Sequence, residues 1–215
     1  MIDNARLEPF DMKNIPFVLD VVTPLWSPSV GDDDFKRFDV EYIIRNNIFE
    51  NEYNFELVTN ADGADTAGGC AASDDASGGA FLAAAFFARK GDINRASEWF
   101  AEKFVKYSDE LKAASELSRA YIELMDKQTF GLMNSNDIKL SLFVSRERGA
   151  GAAILDAACS RLRAEGWKNL YLWTDCDCNW QWYEKHGFTL VRQSSYEPFS
   201  SPDEPYETFI FKKPI

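Results

Sequence analysis

The run Ile138-Lys139-Leu140-Ser141-Leu142-Phe143-Val144-Ser145-Arg146-Glu147-Arg148-Gly149-Ala150-Gly151 decides the reading of this chain. Its first half, Ile138 to Val144, is mostly apolar and reads as a strand. After the glycines, Ala152 to Glu165 contains no proline and spaces Ile154, Leu155, Ala158 and Leu162 at helical intervals. A strand that ends in a glycine loop and opens a helix makes an anion site. The first N–H groups of a helix have no internal partner, and its dipole favours negative charge there. Glycine lets the backbone approach a phosphate without a Cβ in the way. The stretch therefore asks for a phosphate-bearing ligand.

Working outward, charge is unevenly placed. Residues 1–80 hold 16 acidic and 5 basic side chains, residues 81–140 hold 9 of each, and residues 141–215 hold 10 and 9, for a net of -12. The acidic excess excludes a general nucleic-acid binder and a protein held on an anionic membrane. It suits an anionic ligand in the C-terminal part and a cationic one facing the N-terminal part. The start of the chain does not read as a signal peptide, and no apolar run approaches the roughly 20 residues of a membrane span. Cys70, Cys159, Cys176 and Cys178 form no disulfide framework, which points to a reducing cytoplasm. With 215 residues and 17 Phe, 8 Tyr and 6 Trp, the chain can bury a substantial core.

Periodicity predicts a short strand at Arg6–Glu8 and a helix from Asp11 through Ile15, Val18, Leu19 and Val22, with Pro16 in its first turn. A loop follows over Pro24–Asp34, then a helix over Val40–Phe49 with Ile43, Ile44 and Ile48 inward. Strands are expected at Phe55–Val58 and Phe81–Ala88, joined by a mobile hairpin connection over residues 60–79, which is rich in Ala, Gly, Asp and Ser. Residues 94–128 carry the strongest helical period, through Trp99, Phe100, Phe104, Tyr107, Leu111, Leu117, Tyr121 and Leu124, with a break near Ser108-Asp109. A strand at Asn169–Thr174, a helix at Trp180–His186 and strands at Phe188–Arg192 and Thr208–Lys212 complete the chain. The order is β-α-α-β-β, a helical insertion, then β-α-β-α-β-β, read as one domain spanning residues 1–215.

This order, with Arg146, Gly149 and Gly151 spaced as Arg/Gln-x-x-Gly-x-Gly/Ala, resembles the GNAT superfamily of acetyl-CoA-dependent N-acetyltransferases. Asn179-Trp180-Gln181-Trp182-Tyr183-Glu184-Lys185-His186-Gly187-Phe188 is similar to that family's late Asn…Tyr-Glu-Lys-x-Gly-Phe signature, about 30 residues downstream. The clear likeness covers residues 138–192. It implies an α/β fold with a mixed, mostly antiparallel central sheet and flanking helices, here carrying the helical insertion.

The resemblance also implies a site. Arg146, Arg148 and the amides of Gly149, Ala150, Gly151 and Ala152 would hold the coenzyme A pyrophosphate. Leu142, Phe143 and Val144 would lend backbone groups to the acetyl carbonyl and pantetheine, and Asn179 would contact the pantetheine arm. Tyr183 would protonate the departing thiolate. Only Ser145 separates Val144 from Arg146, so Arg148 and the Gly149–Ala152 amides are the contacts least dependent on register. The implied activity is transfer of acetyl from acetyl-CoA to an amine, the alternative being a catalytically inactive CoA-binding sensor or interaction module. No base is assigned: Asp137 comes early and Asp175 is a candidate only.

Other features have plainer readings. Asp175-Cys176-Asp177-Cys178 with His186 is packed too closely for a zinc knuckle, and no metal is expected. His186 precedes Gly187 and reads as a helix C-terminal cap. Asp32-Asp33-Asp34 is a solvated loop, or a lure for a cationic amine. The aromatic stripe of the insertion packs on the sheet, with a lid over the acceptor pocket or a homodimer face as alternatives.

Overall fold

The computed structural model describes residues 5–59 and 79–215. β1 (Ala5–Pro9) leads through a short 3-10 turn, capped by Asp11, into α1 (Ile15–Trp26). Pro16 sits in the first turn of α1, as expected, but the helix also continues through Pro24. The proline falls in the last turn, where only one intrahelical bond is lost. Ser27 closes that turn, its N–H and hydroxyl both donating to the Thr23 carbonyl at 3.2 and 2.6 Å.

α2 (Asp33–Asn46) starts well before the expected Val40. The acidic cluster read as a loop is its N-terminus. The Asp32 carboxylate accepts from the Phe35 N–H at 2.9 Å, and Asp33 and Asp34 occupy the first turn, where the helix dipole favours them. Asp34 also accepts from Lys106 and from the Tyr107 hydroxyl, both at 2.6 Å, and these bonds hold its carboxyl below its ordinary range. Of the three isoleucines expected inward, Ile44 is buried while Ile43 and Ile48 are half-buried.

β2 (Asn54–Thr59) and β3 (Phe81–Ala88) pair antiparallel, while the hairpin connection read over residues 60–79 lies, apart from Gly79, outside the described residues. The insertion then forms α3 (Ala96–Lys103), a 3-10 turn and α4 (Asp109–Leu132). The break falls at Ser108, whose hydroxyl caps α4. β4 (Asp137–Ser145), α5 (Ala150–Ala164), β5 (Asn169–Asp175), α6 (Gln181–Lys185), β6 (Thr189–Ser195) and β7 (Glu207–Pro214) follow. The strands form one sheet in the order β1-β2-β3-β4-β5-β7-β6, antiparallel throughout except between β4 and β5. Among the described residues no helix is long and apolar enough to cross a membrane.

Two departures from regular pairing shape the sheet. Phe86 faces Leu142 and Phe87 faces Leu140, so Ser141 is a bulge with no residue opposite. One extra residue reverses the alternation of β4. Ile138 and Leu140 belong to the core beneath α5, whereas Leu142 and Val144 belong to the core beneath α1 and α2. Past the bulge, β4 and β5 no longer pair. Their ladder joins Asp137–Lys139 to Asn169–Tyr171, yet the strands run on to Ser145 and Asp175. A wedge opens between them.

The insertion does not pack on the sheet along its whole length. Phe100 and Phe104 join Phe35, Phe38 and Tyr42, so α3 covers α2. Only the second half of α4 reaches the sheet, through Tyr121 and Met125 against Tyr171 and Ile210. Leu117 and Leu124 of the expected stripe stay 43% and 37% exposed. A buried polar contact pins this half. Lys139 of β4 is 0% exposed and its ammonium bonds Asp126 of α4, whose Oδ1 also accepts from Trp173 Nε1 of β5 at 2.7 Å. The rings of Phe49 and Phe130 stand 5.0 Å from the ammonium. Burial lowers the Lys139 pKa and Asp126 opposes that shift.

Candidate active site

At the open end of β4, the chain turns through Arg146–Gly149 into α5. Gly149 is the N-cap with φ +90°, the left-handed region that favours glycine, and no side chain caps the helix. The Ala150 N–H donates to the Glu147 carbonyl at 3.1 Å. The N–H groups of Arg148, Gly149, Gly151 and Ala152 have no acceptor among the described residues. The helix starts two residues earlier than the sequence suggested, so Gly151 lies within its first turn. A Cβ there would meet Phe143 Cε2 at 3.1 Å, so glycine lets α5 lie close on β4.

The two arginines part. Arg146 continues the β3 ladder by donating its N–H to the Leu82 carbonyl at 2.9 Å, and its guanidinium lies 5.3 Å from the Phe17 ring on the α1 side. Arg148 is exposed and forms no ion pair among the described residues. The structure thus brings Arg148, Gly149, Gly151 and Ala152 together at one uncapped helix end, with Ala150 buried behind them.

Because of the bulge, Phe143 turns toward α5 and meets α6, while the side chains of Leu142 and Val144 point to the opposite core. Trp182 and Tyr183 reach Phe143 with ring centroids 5.6 and 6.4 Å away. Tyr183 also meets Phe188 edge-on at 5.5 Å and Phe211 at a tilt, 5.8 Å away. Its hydroxyl makes no hydrogen bond among the described residues, and burial, then Cys178 and Asp175, raise its pKa. The phenol therefore holds its proton through neutral pH. Asn179 is exposed just before α6, its carbonyl accepting from the Trp182 N–H at 3.1 Å. His186 caps α6: its ring stacks on Trp182 at 3.6 Å and Nδ1 donates to the Trp182 carbonyl at 2.7 Å.

Of the two carboxylates considered as a base, Asp137 is used up at the far end of β4. It accepts from the Asn134 N–H at 2.8 Å and from Asn169 Nδ2 at 2.5 Å. Asp175 ends β5 at the mouth of the wedge and is 7% exposed. Its Oδ2 accepts from the Tyr121 hydroxyl of α4 at 3.0 Å. Its Oδ1 is buried and accepts no hydrogen bond among the described residues. Burial and then the charge of Asp175 push the phenols of Tyr121 and Tyr206 up, and push the Cys178 thiol up to about 12. The sequence offered no signal for Tyr121 here, since it fits the apolar stripe of its helix and lies 54 residues from its partner.

No family model matches the sequence, and no curated protein matches it. Solved structures do match. The C-terminal condensation domain of Ebony, in complex with beta-alanyl-dopamine, is similar over 98% of this chain and 99% of that one, at 9% identity and a TM-score of 0.55. The ribosomal-protein-S18-alanine N-acetyltransferase of Escherichia coli covers 98% and 94% at 12% identity and 0.50. A GCN5-related N-acetyltransferase from Kribbella flavida covers all of both chains at 10% identity and 0.50. The seven-stranded sheet parted between β4 and β5, with α5 and α6 beside the wedge, has the fold of the GCN5-related N-acetyltransferases.

Proposed function

We propose that this protein transfers acetyl from acetyl-CoA to the amine of a small-molecule acceptor, by direct attack in a ternary complex, in a reducing cytoplasm. One observation carries the reading: the wedge between β4 and β5 opens directly beside an uncapped helix N-terminus. Four backbone N–H groups without acceptors, with Arg148 exposed beside them, fit a pyrophosphate. The β4 edge from Leu142 to Val144, unpaired toward β5, fits an amide-bearing arm that completes the missing ladder. Asn179 stands at the other side of the opening. When bound there, acetyl-CoA supplies an activated acetyl group.

The chain's own residues then act at three places. The β4 backbone orients the carbonyl and stabilises the negative charge that develops on its oxygen. Phe143, Trp182 and Tyr183 wall the wedge with apolar rings that exclude water. Tyr183 keeps its proton at neutral pH and gives it to the leaving sulfur.

Thermal denaturation with and without acetyl-CoA, followed by thiol release on a panel of primary amines, tests the reading. Stabilisation by acetyl-CoA with turnover is the expected result. No stabilisation would remove the cofactor site. Stabilisation without turnover on any amine would leave a CoA-binding sensor or interaction module in its place.

A further inference from the structure

α4 has two faces, and the single chain uses one of them. Tyr121, Ile122, Met125 and Thr129 are buried on the side turned to the protein. On the other side Ala113, Leu117, Ala120 and Leu124 are all exposed. A lone exposed leucine needs no explanation. These four, however, recur at intervals of four, three and four residues, the spacing of a seam by which one helix meets another. None of them joins a hydrophobic cluster of the described residues. One interval of three further out, the seam continues as Glu110 at one end and Lys127 at the other. Both are exposed, and neither forms an ion pair among the described residues.

The order along the seam is Glu110, Ala113, Leu117, Ala120, Leu124, Lys127, and its spacing is the same read from either end. Turned end for end, the seam is its own complement. An antiparallel copy centred between Ser118 and Arg119 sets Leu117 opposite Ala120, Leu124 opposite Ala113 and Lys127 opposite Glu110. About a two-fold axis each of these pairs occurs twice. Small residues facing large ones let the two helices interdigitate without a void. The end layers close as ion pairs between charges left unpaired in the single chain. A parallel copy would instead set Glu110 on Glu110 and Lys127 on Lys127. A different partner of uniform charge would leave one end of the seam facing its own sign. One flank of α4 is acidic through Glu116 and Glu123, but Arg119 holds Glu123 within its own helix. The net charge of -12 repels a second copy at long range, so the apolar seam sets the affinity.

We infer that the insertion is a self-association surface, on which two copies of this chain pair α4 with α4 antiparallel through Ala113, Leu117, Ala120 and Leu124. The other face of the same helix holds Asp175 through Tyr121 and Lys139 through Asp126. Pairing therefore sets the two wedges back to back behind one pair of helices.

Sedimentation velocity on the whole chain, with no acetyl-CoA present, tests this. The mass is expected to rise from one chain to two between about 1 and 100 µM, with a dissociation constant on the order of 10 µM for so small a seam. Leu117→Glu combined with Leu124→Glu changes only exposed side chains, so its circular dichroism and melting at low concentration should match those of the parent protein. Its dissociation constant should rise on the order of 100-fold or more. Glu110→Lys alone and Lys127→Glu alone each put like charges in both end layers, and each should weaken association on the order of tenfold. Mixed together, these two variants should regain the parent affinity, since every end layer then holds one lysine and one glutamate. A parallel pair, with like charges already facing, would lose nothing in either single variant. The mass of one chain at every concentration overturns the inference and leaves the seam to a different partner. A dimer that survives both leucine substitutions, single charge variants that associate as before, or a mixture that does not recover overturns it equally. No step involves acetyl-CoA, so the outcome is separate from that of the acetyl-transfer reading.

Discussion

Asp126→Ala is the most demanding test of how the insertion is held. The substitution strands the Lys139 ammonium, 0% exposed, between two phenyl rings, and takes the acceptor from the Trp173 indole N–H. Breaking a buried pair from one side costs about 3–5 kcal/mol. The lysine has one escape, which is to lose its proton. Starting from an ordinary pKa of 10.5, neutralising it at pH 7 costs about 4.8 kcal/mol at 1.36 kcal/mol per unit, so this sets the ceiling on the charge penalty. The ceiling falls by about 1.4 kcal/mol for each pH unit, because the unfolded chain still binds the proton that the folded variant has given up. Destabilisation is therefore expected to be about 3–5 kcal/mol at pH 7 and to shrink as pH rises toward 8.5. Urea denaturation followed by circular dichroism, on both proteins at several pH values, measures the difference. A cost below about 1 kcal/mol would refute the reasoning about a buried charge. So would a difference that stays constant with pH. Asp126→Leu combined with Lys139→Met, which removes both charges, is expected to recover more than half of the loss.

Two further substitutions probe the wedge. Gly151→Ala puts a Cβ 3.1 Å from Phe143 Cε2 and 3.5 Å from Ser145 Cβ. A loss of about 1 kcal/mol in stability is expected from overpacking, with acetyl-CoA affinity down on the order of tenfold as the amides of α5 shift; calorimetry showing unchanged affinity would detach that helix end from the cofactor. Tyr183→Phe should leave acetyl-CoA stabilisation intact and lower kcat on the order of tenfold or more, and an unchanged kcat would take Tyr183 out of the acid role.

The order of elements was legible because each element carries its own period. Phe81–Ala88 and Ile138–Val144 read as strands, and the stripe of α5 reads as a helix, from side chains within one turn or one pleat. What the sequence concealed depends on a single residue or on distant partners. α2 was read short because Asp32-Asp33-Asp34 has no apolar member, yet acidic residues are what a helix N-terminus favours. The Ser141 bulge leaves no mark in composition. Leu140, Leu142 and Val144 look like one face of a strand until pairing with β3 puts Leu140 on the other side. The glycine loop at the start of α5 could be read locally. Tyr121 could not, since the same aromatic residue serves a packed stripe equally well.

The insertion and the wedge are mechanically one unit. Parallel pairing of β4 with β5 ends at Lys139 and Tyr171; Asp126 grips Lys139 directly and holds β5 through Trp173, two residues past the last pair. One carboxylate thus ties together the two strands at the root of their separation. Tyr121 lies on the same helix and reaches Asp175 two residues beyond Trp173, at the open end. A clamp at the root and a bond at the mouth, on one rigid helix, set how far β5 can swing from β4. The width of the wedge governs what fits between the strands, so α4 acts on the site through the backbone as well as through Tyr121. Removing the insertion would leave Lys139 without Asp126 in the core and the Asp175 carboxylate without the Tyr121 hydroxyl. The helical segment is therefore part of the machinery of the sheet and cannot be read as a decoration on its rim.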